Sequence, residues 1–349
     1  MTTSVHQHFF HIALVALLAG CASDPVDYNT YKSPVNTTQS PPPPNPYISV
    51  KPKRPFQPRY RPLSNTSNYS SYSPNGDYVN NSSVRDFIQR MTDKHGFSES
   101  YLNGLFAKAC RLDSVIRLES PAPSTGPTKS RIGSWTRYRN KFLTPDHIRN
   151  GVEFWHENAA TIQKASQTYG VDPEYIVGII GVETYFGRNI GKTCVFDALT
   201  TLSFDTYRRS KYFMSELENF LLMTREEGYE PREPVGSWAG AMGLGQFMPS
   251  SFRKLAIDFD HDGRRDLWHA EDAIGSVAHY FSKNGWEYKN PVAQEVDDNY
   301  DPSIIELSTY EGDEYWRVYH NFKVIKRYNN SNKYAMAVHQ LAQAIKQQY

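Results

Sequence analysis

Apolar positions recur along most of this chain at intervals of three and four residues, the spacing of one face of an α-helix. Val84, Phe87, Ile88 and Met91 mark a first helix, and Leu102, Leu105, Phe106 and Ala109 mark a second, predicted over 101–116. Pro145 opens another, whose stripe runs through Ile148, Val152 and Trp155 and on to Ile162. Further helices are predicted at 197–201, at 212–225 with Phe213, Leu217, Phe220 and Leu221, and from Tyr334 to the end. Between 292 and 325 short alternating runs such as Tyr315, Trp316 and Val318 predict a few strands. The pattern is that of a mainly α protein.

One stretch breaks the amphipathic rule. From Tyr175 to Val182 nearly every residue is apolar or glycine, and a helix apolar all round belongs inside a core. Asp172 followed by Pro173 starts it, with a side-chain oxygen for the free amides and a ring that suits the first turn. Gly187 is expected to end it. Gly178 and Gly181 leave room for other backbone to pass close. Ile176, Ile179 and Ile180 share a stripe with Glu183, so a carboxylate is delivered at the end of a buried rod. A carboxyl among apolar neighbours resists ionisation and can serve as a general acid near neutral pH. The bland reading is a core glutamate paired with Arg188 or Lys192.

The 349 residues suffice for one large domain or two small ones, and a net charge of +1 gives no electrostatic case for nucleic acid. Residues 9–18 form an apolar run too short to span a bilayer, followed by Leu18, Ala19, Gly20 and Cys21. This is similar to a bacterial lipoprotein signal with Cys21 acylated, although the leading segment carries histidines in place of Lys or Arg. Ala22, by resemblance to sorted lipoproteins, favours the outer membrane. No later segment is long and apolar enough for a membrane helix. The expected organisation is a signal peptide over 1–20, a tether over 21–83 and a folded domain over 84–349. Residues 22–83 hold twelve of the 22 prolines and few aliphatics, too little apolar surface to fold. As a flexible coil that tether would reach on the order of 45 Å, and as polyproline II up to about 190 Å. Its basic residues, among them Lys51 and Arg54, are either a solvated run or a contact for anionic lipid or polymer. Cys110 and Cys194 are either buried thiols or a disulfide of an oxidising compartment.

Residues 236–249 contain four glycines in fourteen, which lets backbone amides approach a ligand or simply makes a turn. The run ends at Ser250 or Ser251, a predicted N-cap. The segment 187–193 resembles a phosphate loop but is one residue short and follows a helix, and neither an HExxH nor a GxSxG motif is present. Asp258, Asp260, Asp262 and Gly263 occupy positions one, three, five and six of an EF-hand loop. Position twelve is His269, a poor oxygen ligand, and a longer loop could close on Asp272. Calcium or a solvated acidic turn are the two readings.

Six stretches, taken in order, resemble one family, the membrane-bound lytic murein transglycosylase B group: WTRYRNKFLTP (135–145), VGIIGVETYFGR (177–188), LTTLSFDTYRRSKYF (199–213), GSWAGAMGLGQFMPSSF (236–252), DFDHDGRRDLWHAEDAIGSVAHYF (258–281) and RYNNSNKYAMAVHQLA (327–342). The resemblance runs from about Val84 to the C-terminus. It implies a lysozyme-like helical core with a small helical subdomain, a few short β-strands and an EF-hand-like calcium loop over 258–272. It implies Glu183 as sole acid and base, Ser237 near the sugar's N-acetyl group or leaving region, and Gln246 lining a glycan groove. Tyr138, Tyr212, Tyr280, Tyr328 and Tyr334 match groove tyrosines, and Arg208 and Arg209 match cleft arginines. The calcium ligands correspond to Asp258, Asp260, Asp262, the Arg264 carbonyl and Asp272, with Ca2+ in a structural role and no organic cofactor.

Glycoside hydrolysis normally needs two carboxylates. The nearest second candidates, Asp197 and Asp205, serve equally well as helix caps or braces. With one carboxyl, the substrate must supply the nucleophile, and the muramic acid C6 hydroxyl of murein can do so, leaving a 1,6-anhydro ring. The expectation is thus an outer-membrane lipoprotein on the periplasmic face, monomeric, that cuts the MurNAc–GlcNAc β-1,4 bond of peptidoglycan strands. A water-using muramidase with Asp197 or Asp205 as partner, and a murein-binding lipoprotein without turnover, are the alternatives.

Overall fold

The structure, a computed structural model, describes residues 76–120, 131–297 and 300–349. The leader, Cys21, most of the predicted tether and the loop predicted at 121–129 lie outside them. Helices α1 (Ser82–His95), α2 (Glu99–Phe106) and α3 (Asp113–Glu119) come first, then α4 (Ser134–Arg139), α5 (Pro145–Glu157), α6 (Ala159–Tyr169) and α7 (Pro173–Thr184). There follow β1 (Thr193–Cys194), α8 (Val195–Phe204), α9 (Ser210–Glu227), β2 (Val235–Gly236), α10 (Pro249–Leu255) and α11 (Ala270–Lys283). Strands β3 (Ala293–Val296), β4 (Ile304–Ser308) and β5 (Asp313–Val318) precede α12 (His320–Tyr328) and α13 (Asn332–Gln348). β1 and β2 pair antiparallel, and the second sheet is antiparallel in the order β3-β5-β4 with Trp316 opposite both Glu295 and Ile305.

The predicted rod is α7, buried at every position from Glu174 to Val182. It packs against α5, α6, α11 and, most extensively, α13. Burying Ile176, Val177, Ile179 and Ile180 removes them wholly from water, worth roughly 1.5–3 kcal/mol each. Gly178 does admit other backbone: a Cβ there would lie 3.1 Å from the Val338 carbonyl and from Ala342 Cβ. Gly181 instead faces side chains, the Phe186 ring and Leu341.

Both ends of α7 differ from expectation. Asp172 stands at the N-cap position, yet its carboxylate accepts from Trp286 Nε1 at 2.9 Å and from the Lys289 amide at 3.1 Å, fastening the helix start to the segment after α11. The helix stops at Thr184, ahead of Gly187, because Tyr185 and Phe186 both turn left-handed, with φ of 53° and 59°. Their amides return to the Gly181 and Ile180 carbonyls at 3.0 and 3.3 Å, which satisfies the last turn. Two non-glycine residues in that region cost about 1–3 kcal/mol each, offset here by burial of Phe186 against Phe154 and His147.

Other boundaries shift for identifiable reasons. The single helix predicted over 101–116 is two, because the Cys110 and Leu112 amides bond to Asp197 Oδ1 and Thr201 Oγ1 on α8 rather than to carbonyls of their own helix. The stripe from Pro145 to Ile162 breaks at Asn158, whose Nδ2 returns to the Phe154 carbonyl at 2.8 Å. Residues 320–328 are helical, not strand, with Phe322 and Ile325 on the buried face. The helix after the glycine-rich run begins at Pro249, and Ser250 is held by Glu216 of α9 through both its amide and its hydroxyl, at 2.8 and 2.7 Å. Packing also begins ahead of Val84. Tyr78 is buried, and its hydroxyl donates to Asp205 Oδ2 at 2.6 Å.

Candidate active site

Glu183 lies in the last turn of α7, and the chain reverses directly after it. The residue is half-buried by surface, but its carboxyl end is enclosed by protein, and desolvation raises it from the ordinary glutamate range to about 7. A hydrogen bond from Tyr334 Oη to Glu183 Oε1, 2.5 Å long, acts in the opposite direction by favouring the ionised form. Among the described residues no second acid contributes to the shift. The alternative pairing is not what the structure shows: Arg188 faces Glu153, at 3.5 Å.

Three tyrosines from three elements converge on this carboxyl. Tyr334 comes from the first turn of α13, where Ser331 caps the helix by accepting from the Tyr334 amide. Tyr328 comes from the end of α12 and donates to the Gly245 carbonyl at 2.5 Å. Tyr138 comes from α4, stacked on Trp135 and flanked by Phe142. Burial chiefly, and the Glu183 charge after it, push the Tyr138 phenol up to about 12 and those of Tyr328 and Tyr334 well above their ordinary value. All three therefore remain neutral donors. Tyr280 stands behind them, its ring 4.6 Å from that of Tyr328 and 5.9 Å from Phe247.

The glycine-rich run meets these tyrosines at Gly245, which accepts from Tyr328. Ser237 closes a turn, its Oγ accepting from the Ala241 amide at 3.0 Å and its own amide donating to the Ala241 carbonyl at 2.9 Å. Gln246 adopts a left-handed φ of 52°. Its Nε2 donates to the Gly243 and Ile190 carbonyls at 2.9 and 3.2 Å.

The remaining candidates are each held by partners of their own. Arg209 grips the buried Glu119 of α3 through Nε at 2.8 Å and through Nη2, while the largely exposed Arg208 reaches the same carboxylate at 3.6 Å. Tyr212 hydrogen-bonds Glu216 on its own helix. Asp197 is engaged by the Cys110 amide at 3.1 Å and Arg232 at 3.7 Å, and Asp205 by Tyr78 and by Arg111 at 3.4 Å. Both acids brace helices. Cys110 and Cys194 are free thiols, the first exposed and the second half-buried. A residue the sequence reading did not single out is His147, buried on α5, whose ring bonds the Gly181 carbonyl at 3.0 Å just ahead of the acid. Pro145 marks the start of α5 in the sequence, but the direction of the imidazole depends on how α5 packs on α7.

The acidic loop brings Asp258, Asp260 and Asp272 together, each with an oxygen within 4.8 Å of the others'. Asp272 is buried and accepts from the Phe259, Asp266 and Asp260 amides, at 2.7, 2.7 and 3.3 Å. Burial pushes its carboxyl up to about 6, with Asp260 adding to the shift. Asp262 accepts from the Arg264 amide at 3.0 Å, and the Arg264 guanidinium lies over the Tyr229 ring. His269 at position twelve pairs with Asp260, at 3.3 Å.

A family model described as the transglycosylase SLT domain matches residues 80–308 and 297–343. The chain is 45% identical over 304 residues to the membrane-bound lytic murein transglycosylase B of Escherichia coli (strain K12), a match covering 77% of this chain and 84% of that one. Two solved structures of the E. coli lytic transglycosylase Slt35 are similar over 82% of this chain and 99% of theirs. The complex with bulgecin A is 43% identical with a TM-score of 0.73, and the complex with calcium 42% identical with a TM-score of 0.74. With the model spanning nearly all of the described chain and a relative this similar along most of its length, the chain belongs to the SLT_2 family of transglycosylases.

Proposed function

We propose that this chain is a lytic murein transglycosylase that cleaves the MurNAc–GlcNAc β-1,4 bond of peptidoglycan without water. The observation that carries the reading is a lone carboxyl, raised to about 7, whose bonded partner is a phenol and not a second acid. Glu183 gives its proton to the leaving glycosidic oxygen as the C1–O bond breaks. The acetamido oxygen of the same sugar stabilises the positive charge left at C1. The carboxylate so formed then takes the proton of the C6 hydroxyl as that oxygen closes on C1, which yields the 1,6-anhydro ring and restores the acid. Tyr334 holds the carboxyl in one orientation through both steps. Tyrosine rings suit the C–H faces of sugars and line the groove with Gln246 and Ser237.

Asp258, Asp260 and Asp272 offer the hard oxygen donors that Ca2+ takes, and the mutual approach of three carboxylates is the feature such an ion fits. When bound it neutralises their repulsion, a structural contribution remote from proton transfer. Signal peptide 1–20, acylated Cys21 and a tether that ends ahead of Tyr78 would place the catalytic domain on the periplasmic face of the outer membrane. In support, the E. coli relative is named membrane-bound, and among the described residues no helix is long and apolar enough to cross a membrane.

Mass spectrometry of purified sacculi digested with the protein tests the chemistry. Anhydro-muramic ends are expected, and Glu183→Gln should abolish their release. Reducing ends would instead mean a water-using muramidase, and undiminished release by the Gln variant would exclude Glu183 as the acid.

A further inference from the structure

We propose that Thr184, the residue after the acid, is a positioning residue that fixes the strap 243–247 against the catalytic helix and so sets where Gln246 stands relative to Glu183. Thr184 is buried. Its Oγ1 donates to the Leu244 carbonyl at 2.8 Å, with the Ile180 carbonyl a longer alternative at 3.2 Å, and accepts from the Gly187 amide at 3.0 Å. One hydroxyl therefore joins the last turn of α7, the reversal that follows it and the strap.

The strap needs such a fastening. Gln246 occupies a left-handed conformation that non-glycine residues avoid, and strained backbone persists only where its surroundings hold it. On the far side, the Leu244 amide donates to the Leu267 carbonyl at 2.8 Å, and Tyr328 donates to the Gly245 carbonyl. The strap cannot slide between these supports. A Cβ on Gly243 would lie 2.3 Å from the Leu267 carbonyl oxygen, and one on Gly245 2.9 Å from Tyr328 Oη. Thr184 is the hydrogen-bonded link from the helix that carries the acid. Valine at this position keeps the shape but leaves the buried Leu244 carbonyl and the half-buried Gly187 amide without their partner, so the strap must shift to recover them.

The inference rests on the transglycosylase reading for its kinetic arm and on geometry alone for its second. In the full-length protein, Thr184→Val should lower kcat on sacculi 10- to 100-fold, roughly the penalty of misplacing a reacting group by an ångström, with KM changing far less. Thr184→Ser should restore most of it. In a Gln246→Ala background the valine substitution should cost much less, because its route of action has been removed. Hydrogen exchange at the amides of 243–247 should speed up in the valine variant and not in the serine variant. Wild-type kcat in Thr184→Val, an equal loss with and without Gln246, or unchanged exchange along the strap would each overturn the proposal. The exchange experiment reads out even if the protein releases no anhydro ends, a result that would count against the function alone.

Discussion

Raising pH past neutrality forces Glu183 to ionise inside a desolvated site, and the cost is borne by the fold. Its carboxyl titrates near 7 folded against an ordinary 4.5. The favourable contribution is therefore complete below pH 4.5 and is lost progressively as pH rises to about 7, a change on the order of 3 kcal/mol. Glu183→Gln, which does not titrate, should gain melting temperature relative to the wild type between pH 4.5 and 8. A difference that stays constant across that range would mean the carboxyl is not perturbed. The same ionisation should appear in kcat/KM, which is expected to fall as pH rises through about 7, because the first step needs the protonated acid. At this scale the sequence offered the acid as one of two readings, since an apolar stretch leading to a glutamate fits a core ion pair as well, and the family resemblance decided between them. Tyr138, Tyr328 and Tyr334 were legible only through family resemblance. They arrive from the ends of α4 and α12 and the start of α13, and no local spacing reports that three helices meet there.

Among the elements, α7 depends on its closest neighbour being able to approach. Gly178 meets the Val338 carbonyl and Ala342 at 3.1 Å from a built Cβ, so even one methyl would press on α13. Gly178→Val is expected to lower stability by about 1–3 kcal/mol through overpacking, measured by urea denaturation, and to disturb Tyr334 on the same α13. A variant as stable as the wild type would show that the two helices separate easily. Periodicity found most helices because their buried faces recur at three and four residues. It missed the break at Asn158, where that residue's own side chain returns to the Phe154 carbonyl, and the one between α2 and α3, where side chains of α8 capture backbone amides. It misread α12, since Phe322, Val324 and Ile325 among lysines fit a strand as well as a helix until Asn321 is fastened to Glu287 and Asn290.

Taken as a whole, the molecule places its acidic loop and its acid on a common frame. Asp272 belongs to α11, which packs against α7. Three carboxylates meeting in that loop should make the fold metal-sensitive: EDTA is expected to lower the melting temperature, and calcium at a hundred times its dissociation constant to add about 2.7 kcal/mol. An identical melt with and without chelator would remove calcium from the account. Tyr78 has a mechanical consequence. Its hydroxyl is fixed to Asp205, within reach of Thr201 at 3.2 Å, and its ring lies 6.3 Å from Phe204, all on α8 or at its end. Any pull arriving through the residues ahead of it is taken up first by α8 and the aromatic cluster of Phe87, Phe106 and Phe204. Tension on a leash would thus load α8 as its first girder, ahead of the helix that holds the acid.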